Sequence, residues 1–239
     1  MIILNKKQNK TKTKTKTVIV LGMHRSGTSI TAGILSLMGV NMGRIGPPKI
    51  SNIKGHFEDL DFLSLNEKIL LSHNASWRNP PKKIVIYPSL KNEAKNLVFK
   101  KQKILWGWKD PRTVFTIDYY FDDIINPYFI FIHRDSNKVA ESLFKRDKTS
   151  LEDNLIVIQR YKRRIDFLIK KTKNYPQLFI KMEKIIENPI LEANKIASFL
   201  NIKITNNQQR KILSFVVPSY KKKLIQKYFK LKNSAKKFF

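Results

Sequence analysis

The sequence predicts an α/β fold in which helices flank a parallel central sheet. Short apolar segments rich in β-branched and aromatic residues alternate along the chain with segments of helical periodicity. Polar motifs directly follow three of the apolar segments, and the carboxyl ends of parallel strands meet at one edge of a sheet. A chain of 239 residues is also long enough to bury the core of one such domain.

Apolar segments predict the strands, which we place at residues 18–21, 104–108, 128–132 and 178–180. The third, Tyr-Phe-Ile-Phe-Ile, is the clearest buried strand. In the second, Trp106 and Trp108 alternate with Gly107, so at least one face of that strand is expected to belong to the core.

Apolar periodicity and capping signals predict the helices. Gly39 suits the end of the first helix, Pro111 suits the first turn of another, and Asp135 is a good N-cap. The segment 40–56 is rich in Gly, Pro and Asn and predicts a loop. The first predicted helix ends near residue 38, and another begins after Asp135. The remaining predicted helices occupy about 58–72, 88–102, 111–124, 151–172 and 189–200.

The chain divides into one domain and two basic ends. Residues 1–16 contain a Thr-Lys alternation without an apolar face, which predicts a disordered basic tail. The α/β domain is expected over 17–217, followed by a basic C-terminal extension over 218–239.

The formal net charge is +29. The basic residues are dispersed and lysine outnumbers arginine, so we attribute most of this charge to general composition. Binding of an anionic polymer or a membrane surface by the basic tails stays open as a second use of this charge. No compact basic or RNP-like aromatic motif is present, which argues against a nucleic-acid-binding module. There is no cysteine, no secretory signal and no apolar run long enough to cross a membrane, so a soluble, cytoplasmic protein is expected.

The segment Gly22-Met23-His24-Arg25-Ser26-Gly27-Thr28-Ser29 joins the first strand to the first helix. Strand, glycine loop and helix is the arrangement that turns backbone N–H groups towards a phosphate or sulfate. The glycine spacing copies the Walker pattern, but Thr28 stands where that pattern has its lysine. This departure argues against the alternative of a nucleotide kinase-like transferase, and Arg25 offers a cation instead.

Two further motifs follow strand ends. Lys109 and Arg112 follow the second strand, and Arg134 follows the third, with Ser142 eight positions later. Arginine binds phosphate through a bidentate fork, and hydroxyl groups complete the shell. Together with the loop, these motifs predict one anion-binding crevice at the sheet edge.

These motifs resemble those of the sulfotransferases that use 3′-phosphoadenosine 5′-phosphosulfate (PAPS). The loop of residues 22–29 looks like their 5′-phosphosulfate loop, and Arg134 with Ser142 resembles their 3′-phosphate motif. The segments 55–59 and 106–112 are similar to segments of the bacterial carbohydrate-type branch, and the resemblance extends over about 17–217. It implies a P-loop-like sulfotransferase fold and PAPS as co-substrate, with no metal.

The resemblance also implies site residues. The candidate PAPS-binding residues are Arg25, Ser26, Gly27, Thr28, Ser29, Arg134 and Ser142. The acceptor is expected to be a hydroxyl, or less readily an amine, of a carbohydrate or similar small molecule or glycan. The acceptor must lose a proton, and the resemblance implies a catalytic acid at Glu58.

Alternatives to Glu58 stay open. His56 and Asp59 are rival bases, and a histidine's ordinary pKa suits proton removal at neutral pH better. Glu58 could also be a helix-start carboxylate that only satisfies the helix dipole. Lys109 joins Glu58 and His56 as a candidate catalytic residue, and Asp59 and Arg112 are candidate acceptor-binding residues.

Overall fold

The structure is a computed structural model that describes residues 15–47 and 55–216. Its sheet is parallel throughout and has the strand order β2-β1-β3-β4, which confirms the predicted fold class. In the register, Ile19 pairs with Trp108 on one side and with Phe129 on the other. The strands are β1 (Lys16–Leu21), β2 (Leu105–Lys109), β3 (Pro127–His133) and β4 (Gln177–Lys181).

Helices cover both faces of this sheet. They are α1 (Thr28–Leu37), α2 (Leu60–Ser72), α3 (Pro88–Lys101), α4 (Thr113–Thr116), α5 (Ser136–Asp147), α6 (Leu151–Lys171), α7 (Met182–Glu187), α8 (Pro189–Leu200) and α9 (Asn206–Val216). Asp135 caps α5 as predicted, since its carboxylate accepts a hydrogen bond from the Lys138 amide. None of the helices in the described ranges is long and apolar enough to cross a membrane.

Alternation along the strands divides the core into two layers. Val18 and Val20 face the layer that contains residues of α1, α8 and α9, whereas Ile19 and Leu21 face the layer with residues of α2, α3, α5 and α6. Trp106 and Trp108 both belong to the second layer, as expected from their spacing. Between them, an added Cβ at residue 107 would lie 2.0 Å from the Val18 carbonyl oxygen, so only glycine allows the strands to approach.

One predicted helix is much shorter than expected. The segment 111–124 forms only the four-residue α4, followed by two 3₁₀ turns at Ile117–Tyr119 and Phe121–Asp123. Hydrogen bonds to the buried Asn66 accompany this departure, since the hydroxyls of Thr116 and Tyr120 both donate to its amide oxygen. Asn66 is distant in sequence, so the local sequence could not indicate these contacts.

The boundaries of the domain differ slightly from those expected. Lys16, assigned to the basic tail, is the first residue of β1, and its ammonium donates to the Leu200 carbonyl. Residues 1–14, part of the predicted loop at 48–54 and the predicted extension at 218–239 lie outside the described residues.

Candidate active site

The loop between β1 and α1 has the backbone shape of an anion cradle. Arg25 and Gly27 adopt positive φ angles of 65° and 101°, which bend the chain sharply before α1 begins at Thr28. The first turn of α1 contains no acidic residue that would compete with an incoming anion. Ser26 is buried, and its hydroxyl donates to the Met23 carbonyl over 2.6 Å, so this side chain braces the loop from inside.

Arg134 and Ser142 meet the same loop, although they lie far away in sequence. Arg134 extends from the end of β3, and its Nη1 donates to the Arg25 carbonyl over 2.7 Å. Arg25 in turn donates from Nε to the Ser142 hydroxyl on α5 over 2.8 Å. The two predicted phosphate motifs are therefore joined by direct hydrogen bonds at the carboxyl edge of the sheet.

A cavity of about 180 Å³ opens at this edge. Its volume is below the roughly 300–1,000 Å³ of most small-molecule sites. The predicted site residues that line it are Arg25, Gly27, Thr28, Ser29, His56, Glu58, Lys109 and Arg134. The other lining residues are His24, Ile30, Pro111, Arg146 and Met182.

Glu58 and Lys109 form a buried ion pair in the cavity wall. Lys109 ends β2 with a side chain only 1% exposed, and its Nζ lies 2.8 Å from Glu58 Oε1 and 3.1 Å from the Ser29 hydroxyl. Burial by itself would raise the pKa of Glu58, but the charge and hydrogen bond of Lys109, with Arg112 and His56, bring that pKa below its ordinary value. Glu58 is therefore an ionised carboxylate within the cavity.

Asp59, expected to bind the acceptor, lies outside the cavity lining. Its carboxylate is 1% exposed and accepts hydrogen bonds from the Asp61 amide, the Arg44 amide and the Lys101 ammonium. Asp59 is thus the N-cap of α2 and a partner of α3. The carboxylate that accepts a hydrogen bond from the first turn of α2 is therefore that of Asp59 and not that of its neighbour Glu58.

Arg112 also lies outside the cavity lining. Its guanidinium forms ion pairs with Asp110 and with Glu67, each with a nitrogen–oxygen distance of 3.0 Å. It acts on the cavity by its charge, which lowers the pKa of both Glu58 and His24.

His24 and Arg146 are cavity residues to which the sequence assigned no binding role. The His24 ring packs against Trp77 at 4.4 Å, and the Arg146 guanidinium lies 5.0 Å from the same indole. Arg78 lies 4.6 Å from this ring, so Trp77 is held by its neighbours. Arg146 follows no strand end and belongs to no predicted motif, but it lies on α5 one turn after Ser142, whose hydroxyl meets Arg25.

Burial and the charges of Arg112, Arg146, Lys109 and His56 lower the pKa of His24 well below its ordinary 6.5. Its Nε2 is buried with no hydrogen-bond partner among the residues that the structure describes. In the unfolded chain the ring is protonated below about pH 6.5, whereas the folded protein keeps it neutral. The unfolded state therefore binds more protons, and stability is lost as the pH falls through this range.

We expect the His24→Asn variant to lose less stability than the wild type on acidification below pH 6.5. The difference in slope has an upper limit of about 1.4 kcal/mol per pH unit, the value for one proton. Urea unfolding at a series of pH values measures it, and His133→Asn is the matched control because His133 is exposed at the end of β3. Parallel pH curves for the wild type and His24→Asn would contradict this account.

In the described ranges 15–47 and 55–216, no group of three or more His, Cys, Asp or Glu side chains is arranged to hold a metal ion. The cavity is instead lined by cationic side chains, hydroxyls and the amides of a helix start. This donor set suits a phosphate or sulfate ligand.

Comparisons with known proteins agree with this geometry. The sulfotransferase domain from the curacin biosynthetic pathway has a TM-score of 0.51 and 14% identity, and the match covers 83% of this chain and 77% of that one. Sulfotransferase STF9 from Mycobacterium avium has a TM-score of 0.50 and 12% identity, covering 84% of this chain and 68% of that one. These similarities concern the fold, and no curated protein matches the chain. The family model of the sulfotransferase domain matches residues 15–239, and the chain therefore belongs to the sulfotransferase family.

Proposed function

We propose that the protein transfers a sulfuryl group from PAPS to a hydroxyl group of a carbohydrate or similar acceptor. The observation that carries this proposal is that two cationic sites meet in one crevice. Arg134 donates a hydrogen bond to the Arg25 carbonyl of the loop, and the Arg25 side chain donates one to the Ser142 hydroxyl. PAPS carries two separate anionic groups, the 5′-phosphosulfate and the 3′-phosphate. A protein that binds it needs two such cradles at a fixed spacing.

The residues present fit this donor. The amides at the start of α1, with Thr28 and Ser29, would hold the phosphosulfate end, and Arg134 would hold the 3′-phosphate. Gly27 allows close packing at the loop, because an added Cβ would lie 2.3 Å from Met182 Sδ. Bound PAPS supplies an activated sulfuryl group with a phosphate as its leaving group.

On the acceptor side, Glu58 is the proposed base. Its carboxylate lies in the cavity and is ionised, so it can take the proton of an acceptor hydroxyl as the new oxygen–sulfur bond forms. His56 lines the same cavity and stays an alternative. Asp59 is a weaker one, because its oxygens are occupied inside the fold.

Lys109 connects the two halves of this proposed chemistry. Its ammonium lies between Glu58 and Ser29, which is in the first turn of α1. An anionic donor at the start of α1 competes with Glu58 for that ammonium. Weakening the ion pair removes a main cause of the lowered pKa of Glu58, which makes the carboxylate a stronger base once the donor is bound.

A thermal shift experiment tests the donor. We expect 3′-phosphoadenosine 5′-phosphate (PAP), the product form of the donor, to raise the melting temperature, because a ligand present at 100 times its Kd stabilises by about 2.7 kcal/mol. ATP with Mg²⁺ should have little effect, since the Walker lysine is absent. Stabilisation by ATP with Mg²⁺ and not by PAP would favour a kinase-like transferase and overturn the proposal.

The expectations about cellular location and binding partners are still predictions. A cytoplasmic location, binding of an anionic polymer or membrane surface through the basic ends, and the lack of a nucleic-acid partner rest on sequence composition. The basic ends lie beyond the ranges that the structure describes, apart from the last residues of the tail.

A further inference from the structure

The backbone of Phe57, the residue before Glu58, has an unusual conformation. Its φ is 54°, in the left-handed region that a bulky aromatic residue seldom adopts. Asn74, Asn126 and Asn201 also have positive φ, but asparagine tolerates this region because its short polar side chain can hydrogen-bond locally. Phe57 has no such compensation, so packing of its ring must hold the backbone in place.

That packing comes from α9 and α1. The Phe57 and Phe215 rings meet edge to face, with centroids 5.5 Å apart and planes at 82°. Gly33 of α1 makes room for them, because an added Cβ would lie 2.3 Å from Cζ of Phe215 and 3.2 Å from Cζ of Phe57. The two rings are therefore seated against a helix position that only glycine fits.

The other side of Glu58 is also fixed. Asp59 caps α2 and is paired with Lys101, so its backbone cannot turn freely. Glu58 lies between these two anchors, and its carboxylate reaches Lys109 across the cavity. A change at Phe57 is transmitted directly to Glu58 by the chain, whereas the Asp59 anchor stays in place.

We propose that Phe215 is a positioning residue: through its contact with Phe57, α9 holds the backbone that directs Glu58 into the cavity. This inference rests on the proposed function, which assigns to Glu58 the role of base. It gives α9 a role in the site, although Phe215 belongs to none of the sequence motifs and does not line the cavity.

The test compares Phe215→Ala and Phe215→Leu with the wild type by a carbon-13 NMR titration of the Glu58 carboxyl group, identified by the signal that Glu58→Gln lacks. In Phe215→Ala the pKa of Glu58, which Lys109, Arg112 and His56 lower, should rise towards its ordinary value as the ion pair loosens. Phe215→Leu keeps an apolar side chain and should return the pKa only in part. Turnover in Phe215→Ala should fall by about 100-fold, as expected for a misplaced catalytic group, with PAP affinity almost unchanged.

Ile212→Ala is the matched control, because Ile212 is fully buried on the same helix. It loosens α9 without removing the ring that meets Phe57, so the pKa of Glu58 should stay near the wild-type value. An unchanged Glu58 pKa in Phe215→Ala, or an equal change in Ile212→Ala, would overturn the proposal. If Phe215→Ala does not fold, the Glu58 pKa is compared between Phe215→Leu and Ile212→Ala instead, and an equal or absent change in Phe215→Leu would overturn the proposal.

The result is separate from the test of the donor. Failure of PAP to bind the wild type would overturn the proposed donor, whereas the NMR titration reads the position of Glu58 without any ligand. A wild-type Glu58 pKa in a folded Phe215→Ala variant that still binds PAP would overturn only the positioning role.

Discussion

Replacement of Glu58 by glutamine is expected to lower turnover by about 10²–10⁴-fold, the usual contribution of a positioned general base. The variant keeps the shape of the side chain and an oxygen that can accept from Lys109, but it cannot take a proton from the acceptor. PAP affinity should change by no more than a few-fold, because the effect lies in the chemical step. A panel of sugars with radiolabelled PAPS supplies the acceptor for the assay.

The matched control is Glu67→Gln, the same chemical change on α2. Glu67 is half exposed and pairs with Arg112 outside the cavity, so turnover should stay near that of the wild type. Turnover of Glu58→Gln close to the wild-type rate would remove Glu58 from the role of base and leave His56 as the leading candidate.

Arg134→Ala is expected to weaken PAP binding by roughly 2–4 kcal/mol, since it removes charge-assisted hydrogen bonds to a phosphate. Adenosine 5′-phosphosulfate lacks the 3′-phosphate and should lose much less affinity. A small loss for both ligands is expected as well, because Arg134 also donates to the Arg25 carbonyl and supports the loop. Calorimetry with the two ligands separates these contributions.

The control for charge is Lys138→Ala, which removes an exposed cation from α5 near the same edge. Its effect on PAP affinity should be small and should decline with added salt. Equal losses for PAP and adenosine 5′-phosphosulfate in Arg134→Ala would show that Arg134 does not bind the 3′-phosphate.

Much of the fold could be predicted because its signals are local. The strands β1, β2, β3 and β4 each contain a short apolar run that is visible in the sequence, and Asp135 caps its helix by contacts within a few residues. The six-residue α7 and the polar start of α9 carry no comparable signal, and neither was predicted. The predicted helix at 111–124 is only four residues long in the structure, where side chains of this segment donate hydrogen bonds to Asn66, which is distant in sequence.

The sequence predicted which residues lie at the candidate site better than it predicted the role of each one. Residues at strand ends converge because parallel strands end at one edge, which brings Arg25, Lys109 and Arg134 together. The neighbours Glu58 and Asp59 look alike in sequence, but one faces the cavity and the other caps α2. Which carboxylate does which depends on the left-handed turn at Phe57 and on Lys101, and neither has a sequence signature.

The central position of β1 affects how the protein can be synthesised. Both neighbours of β1 in the sheet are made much later than β1 itself, and the contact between Thr15 and Asn126 spans 111 residues. At about 5–20 residues per second, a ribosome needs roughly 5–20 s to deliver that second neighbour. Until β2 has been made, the apolar β1 has no strand to pair with and is exposed to aggregation or to chaperones. The contact between Arg134 and the loop of residues 22–29 also cannot form until Arg134 has been made, so a ligand that needs both could stabilise the chain only late in folding.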